Sequence, residues 1–163
     1  MNTLFLLPIF IVAVYLGLFI PKLSLDWIGI TSHRSIVTHS MLLPMVLLLV
    51  KSNITKAVVA GLCVGMSIYL AMDMVSAIRG YATITIPLLT QFSFSGWKSL
   101  VWLGLNSALG LYMAARVTSF HRLIVPGSFV CAAIAYAFYF HYSLVVLLPC
   151  LVVMVFCYRK PLL

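Results

Sequence analysis

Apolar runs separated by little more than single cations dominate this chain and leave it no means of covering a globular surface with charge. Of its 163 residues, ten are Lys or Arg and two are acidic. Charged residues make up 7% and hydrophobic residues 64%, whereas an ordinary soluble domain carries about 25% charged residues. A soluble fold is excluded on that balance, and residues 1–163 read as a single integral membrane domain.

The formal charge of +8 would suggest a nucleic-acid partner in a soluble chain. Here the cations stand singly (Lys22, Arg34, Lys51, Lys56, Arg79, Lys98, Arg116, Arg122) until the Arg159-Lys160 pair. They form no stripe that could track a phosphate backbone, so no nucleic-acid partner is expected. Loop anchoring and topology explain them. Cys63, Cys131, Cys150 and Cys157 lie in apolar stretches without CxxC spacing and read as small hydrophobes.

A bilayer core takes about 20 apolar residues per helix. Candidate spans are Thr3–Ile20, a stretch ending at Val50, Ala57–Ala77, Ser99–Val117, Leu123–Phe140 and Ser143–Tyr158. The expected fold class is therefore all-α, a polytopic membrane protein of five to six transmembrane helices. The first span lacks a basic leading region and an Ala-x-Ala-like cleavage site, so a retained helix is expected. Six spans would put both termini on one side. Lys51, Lys56, Arg116, Arg122, Arg159 and Lys160 fall on that side, against Lys22, Arg34, Arg79 and Lys98 on the other. The short loops of the terminal side are denser in cations, which orients both termini to the cytoplasm.

Two stretches break the pattern. Met41–Val50 holds ten residues with Pro44 among them. To cross, it must begin near Ser32–Ile36 and draw His39 into the bilayer, where polar groups face a protein interior or a wet cavity. Gly80–Trp97 is apolar but interrupted by Thr83, Thr85, Pro87, Gln91, Ser93, Ser95 and Gly96. A re-entrant or interfacial segment is expected near residues 80–97.

The two acids are Asp26 and Asp73, and rare polar residues gather with them. A hairpin through the Lys51–Lys56 loop places His39 about 18 Å up one helix. Tyr69 lies about 19.5 Å up the next, with Asp73 one turn higher at about 25 Å. Tyr69 and Asp73 share a face. Asp26, His33, Arg34, His39, Tyr69 and Asp73 should therefore converge at one end, and an acid at the membrane is a functional candidate. Neutral imidazoles with carboxylates suit a divalent ion such as zinc or manganese. The His33–His39 spacing is not the i, i+4 pair of a zinc-protease helix, so one of them must lie on non-helical chain. Plainer roles stand beside this one. Asp73 would pair with Arg79 or Arg34 across two helices, His33 and Arg34 would anchor at the interface, and Ser32 or Thr38 would cap a helix. His121 and His141 suit surface loops.

The run His33-Arg34-Ser35-Ile36-Val37-Thr38-His39-Ser40 resembles the HR…THS signature of the YdjM-like family of inner-membrane metal-dependent hydrolases. Asp26-Trp27-Ile28-Gly29-Ile30 is similar to the approach to that signature. Gly65, Tyr69 and Asp73 at four-residue intervals resemble its second element, and Ile86-Pro87 also fits. The likeness covers roughly residues 22–90. Ser24 stands where the family start carries an acid, and Tyr69 where its second element carries histidine. The HR…THS unit has one residue more than its commonest form.

The resemblance implies a bacterial inner-membrane hydrolase in which Asp26, His33, His39 and Asp73 hold one divalent metal ion. Arg34 would bind a phosphate or carboxylate group, and Tyr69 would be the second catalytic side chain. Membrane lipids surround such a site, so an ester or phosphoester of a lipid-like substrate is the expected target. The competing expectation is a non-catalytic membrane subunit, using the polar cluster as glue or as a site for a protein partner or second copy. The Gly80–Trp97 segment would be its docking surface. A transporter is a third class, but no inverted repeat is visible.

Overall fold

The computed structural model describes residues 3–22, 35–75, 84–86, 89–94, 96–117, 124–140 and 147–158. In chain order these form α1 (Thr3–Phe19) with a 3-10 turn at Ile20–Lys22, α2 (Leu42–Leu47), α3 (Asn53–Val75), β1 (Ile84–Ile86), β2 (Leu89–Phe94), α4 (Trp97–Val117), α5 (Ile124–Phe140) and α6 (Leu147–Tyr158). Among the described residues the fold is helical apart from one small hairpin. Large apolar side chains such as Phe5, Tyr15, Leu105 and Phe138 stand exposed on its outer helices, a face suited to lipid rather than water.

Among the described residues, three helices are long and apolar enough to cross a membrane: Phe5–Lys22, Asn53–Met74 and Trp97–Val117. Five or six such spans are not found among the described residues. α5 has 17 residues and α6 has 12. At 1.5 Å per residue they extend about 26 and 18 Å, short of a hydrocarbon core of about 30 Å.

The stretch ending at Val50 is a broken helix rather than a continuous span. One turn closes where His39 N–H donates to the Ser35 carbonyl at 3.0 Å, and α2 then runs for six residues. Past α2 the bonds tighten to i→i+3 as Leu49 and Val50 donate to Val46 and Leu47 at 3.1 Å. Pro44 explains much of this. It has no N–H to carry the ladder back to Ser40, so the helix cannot run continuously from the turn before it.

α3 is the axis of the molecule. In its membrane window 83% of residues are buried, against 33% for the first span and 39% for α4. α1 packs along one side of it and α4 along another, with α5 against α3 and α6 chiefly against α4. The α1–α3 crossing is built from small residues, Ala13 and Gly17 on one helix and Gly61 and Gly65 on the other. A Cβ on Gly17 would lie 2.6 Å from the Leu62 carbonyl oxygen, and one on Gly65 would be driven into the Val14 carbonyl oxygen. Lipid gives apolar helices no hydrophobic reason to associate, so close backbone approach supplies the packing.

The α3–α4 contact uses hydroxyls instead. Ser67 Oγ donates to the Ser107 carbonyl and Ser107 Oγ to the Ser67 carbonyl, each at 3.0 Å. Ser67→Ala and Ser107→Ala should each cost about 0.6 kcal/mol, the average for such bonds between membrane helices. The double variant should lose roughly the sum, read from unfolding in a mixed-micelle titration.

β1 and β2 pair antiparallel, Ile84 opposite Phe94 and Thr85 opposite Ser93, with a register shift before Ile86 meets Leu89. This strand pair lies within the segment near residues 80–97 that is expected as re-entrant or interfacial chain, and it goes beyond that expectation. Alternation of polar and apolar residues over Gln91-Phe92-Ser93-Phe94 is the period-two signal for it. Gly96 then takes φ +59°, a left-handed conformation that favours glycine. Its carbonyl receives Ser99 and Leu100 N–H at 3.1 and 3.3 Å as α4 begins.

Candidate functional site

The turn Ser35–His39 is held by its own hydroxyls. Thr38 N–H donates to Ser35 Oγ at 3.3 Å, and Thr38 Oγ1 lies 3.1 Å from the Ser35 carbonyl oxygen. Thr38 Oγ1 also lies 3.0 Å from His39 Nδ1. A hydroxyl has one proton. Thr38 Oγ1 therefore either accepts from His39 Nδ1–H while donating to the Ser35 carbonyl, or donates to an unprotonated Nδ1.

α4 grips the same turn by its backbone. Trp102 Nε1–H donates to the His39 carbonyl at 3.0 Å, and Asn106 Oδ1 accepts from Met41 N–H at 3.0 Å. Asn106 Nδ2 in turn donates to the Trp102 carbonyl at 2.9 Å. Trp102 and Asn106 are four residues apart and so lie on one helix face. They fix the break in the chain from both sides of Ser40. Broken helices at sites in membrane proteins are tolerated where other groups satisfy the released backbone, and here α4 provides them.

α3 brings the remaining groups. His39 is fully buried, and its Nε2 lies 4.0 Å from Asp73 Oδ2, on a carboxylate side chain only 6% exposed. The Tyr69 ring meets the His39 ring edge-on, centroids 5.8 Å apart. Its other side faces Tyr136 of α5 at 6.3 Å. The structure thus joins His39, Tyr69 and Asp73. Asp26, His33 and Arg34 lie outside the described residues, as do Arg79, His121 and His141.

Two adjacent ligands of a tetrahedral zinc ion stand about 3.4 Å apart, given metal–ligand distances near 2.0–2.2 Å. His39 Nε2 and Asp73 Oδ2 need to close by roughly 0.6 Å to meet that separation. Histidine binds metal as a neutral imidazole whose other ring nitrogen is held by a hydrogen bond, and Thr38 Oγ1 stands at that position beside His39 Nδ1. The pair fits as half of a site. Among the described residues, no group of three or more His, Cys, Asp and Glu side chains lies together. Further ligands would have to come from elsewhere in the chain.

Three contributors escaped sequence reasoning. Asn106 was legible only as an amide inside an apolar run, and Trp102 as one aromatic among many. Lys22 stood out only as a cation closing the first span, yet its Nζ lies 5.8 Å from the Tyr69 ring centroid. Compared with known protein families, characterised proteins and solved structures, the chain matches none.

Proposed function

We propose that this chain is a polytopic inner-membrane hydrolase of the YdjM-like kind, with both termini in the cytoplasm and the shorter apolar helices completing five to six spans where the bilayer thins around them. His39 and Asp73 are two ligands of a divalent ion, zinc or manganese, and Asp26 and His33 are the candidates to complete the set. The observation that carries this reading is the buried Nε2–Oδ2 approach of 4.0 Å, with Nδ1 of the same ring held beside the Thr38 hydroxyl. The HR…THS resemblance supports it.

When bound, the ion would supply Lewis acidity toward water and toward an ester or phosphoester oxygen. The protein's own part is to hold the donors. Thr38 holds Nδ1 of His39, while Trp102 and Asn106 hold its backbone. Arg34 would bind the anionic group of a lipid-like substrate, and the Tyr69 hydroxyl would donate a hydrogen bond to it.

Elemental analysis of detergent-purified protein tests the reading. One divalent ion per chain is expected, absent from His39→Ala. Thr38→Val keeps the shape of the side chain and removes the hydroxyl beside Nδ1. It should weaken metal affinity about 10- to 100-fold, as loss of an outer-shell partner does. Hydrolysis of short-chain esters and phosphoesters should fall with metal content. Wild-type protein that stays metal-free after reloading would end this account.

One observation favours a second reading. Tyr69, which stands at the family's histidine position, is packed edge-on between His39 and Tyr136. A cluster kept for helix packing would look like this, in a non-catalytic membrane subunit that binds a protein partner. Metal-free but fully folded protein would point there.

A further inference from the structure

An open groove runs between α1 and α5, which approach each other only sparsely. It encloses about 900 Å³, within the range of sites that hold a whole small ligand. Ile11, Tyr15 and Leu18 form one wall, and Cys131, Ala135 and Tyr139 the other. The Ser128 hydroxyl on the α5 wall is directed to the Val125 carbonyl of its own helix at 2.8 Å, so it adds little polarity to the groove.

One end of the groove is different. The rings of Phe19, Tyr136 and Phe140 line it, and Lys22 Nζ stands over all three. It lies 3.5 Å from the Phe140 centroid, 5.1 Å from Tyr136 and 5.6 Å from Phe19. Aromatic faces hold an ammonium in place without neutralising it. The result is an apolar trough with a fixed positive charge at its end. That matches the two halves of an amphiphile, an acyl chain and an anionic headgroup.

We propose that the α1–α5 groove binds the acyl chain of an anionic glycerophospholipid, with Lys22 holding the phosphate of its headgroup. Charge complementarity favours this occupant over a second copy of the chain. A second copy brings ten Lys and Arg against two acids, and Asp73 is already buried beside His39. The lysine end of the groove adjoins Tyr69, 5.8 Å from its ring, so the proposal is read from lipid bound in the absence of metal and not from hydrolysis.

The test uses full-length protein in detergent, treated with chelator so that ion content plays no part. Phosphatidylglycerol and phosphatidylcholine with identical tails are titrated in turn and bound lipid is counted by native mass spectrometry. Wild type should prefer phosphatidylglycerol about fivefold, the ratio expected of one lysine at a membrane surface. Lys22→Gln should bring the two lipids near parity while tail binding persists, and Lys22→Arg should keep the preference. Ala135 is exposed on the wall, so Ala135→Trp should fill the groove without disturbing the core and reduce binding of both lipids. Parity in wild type, an undiminished preference in Lys22→Gln, or full binding by Ala135→Trp would overturn the proposal. So would a dimer that dissolves in Ala135→Trp, because the groove would then belong to a second copy.

Discussion

Gly65→Leu is expected to abolish the α1–α3 crossing and with it the monodisperse folded protein. The glycine sits where the two backbones meet, and a Cβ there would enter the Val14 carbonyl oxygen and crowd Leu18 N and Gly17 C at 2.8 and 2.9 Å. No rotamer relieves a clash with main chain, so one helix must move bodily. Overpacking a core costs about 1–3 kcal/mol when side chains can adjust, and the loss here should reach about 3 kcal/mol or more. Gly127→Leu is the control, since nothing lies within 4 Å of a Cβ at that position. It should stay within about 0.5 kcal/mol of wild type. Unfolding in a mixed-micelle titration separates the two, and equal losses would refute the close-crossing argument.

Asn106→Leu should be nearly as damaging for a different reason. The amide takes the Met41 N–H at 3.0 Å and gives a bond to the Trp102 carbonyl at 2.9 Å. Leucine has similar volume but can do neither. A buried donor left without its acceptor costs about 1–3 kcal/mol, and water cannot easily enter to replace it. The expected loss is about 2–3 kcal/mol, measured by the same titration. A second effect should accompany it. His39 lies two residues from Met41, so if His39 is a metal ligand as proposed, releasing that backbone should lower metal content together with stability. Asn106→Asp would retain the acceptor and should recover more stability than Asn106→Leu.

Much of the architecture was legible because a bilayer imposes simple rules. Twelve ionisable Lys, Arg and Asp side chains in 163 residues cannot make a soluble surface, and Thr3–Ile20, Ala57–Ala77 and Ser99–Val117 each overlap an observed long apolar helix. Residues 41–50 were harder, because Pro44 and the outward pull of Asn106 and Trp102 act against a continuous helix. Those partners lie more than 60 positions away, and no local pattern reports them. His39 and Tyr69 were expected to meet through two regular helices. They do meet, but His39 arrives on a hydroxyl-braced turn rather than a helical span. The hairpin at residues 84–94 was overlooked since its alternation is short and interrupted by Pro87. Lys22 was read by charge alone, and beyond the neighbouring Phe19 its aromatic surroundings come from Tyr69 of α3 and from Tyr136 and Phe140 of α5, far along the sequence.

The grip of α4 on the Ser35–Met41 segment also sets an order of events during biosynthesis. When α3 has just left the ribosome, His39, Tyr69 and Asp73 have all emerged, yet Trp102 and Asn106 have not. The nascent chain at that stage holds the donors without the groups that fix their backbone. Completion of the site therefore waits for residue 106 to enter the membrane and dock against α3 through Ser67 and Ser107. A chain stopped before that point would carry every candidate ligand in sequence and still lack the support of the finished site.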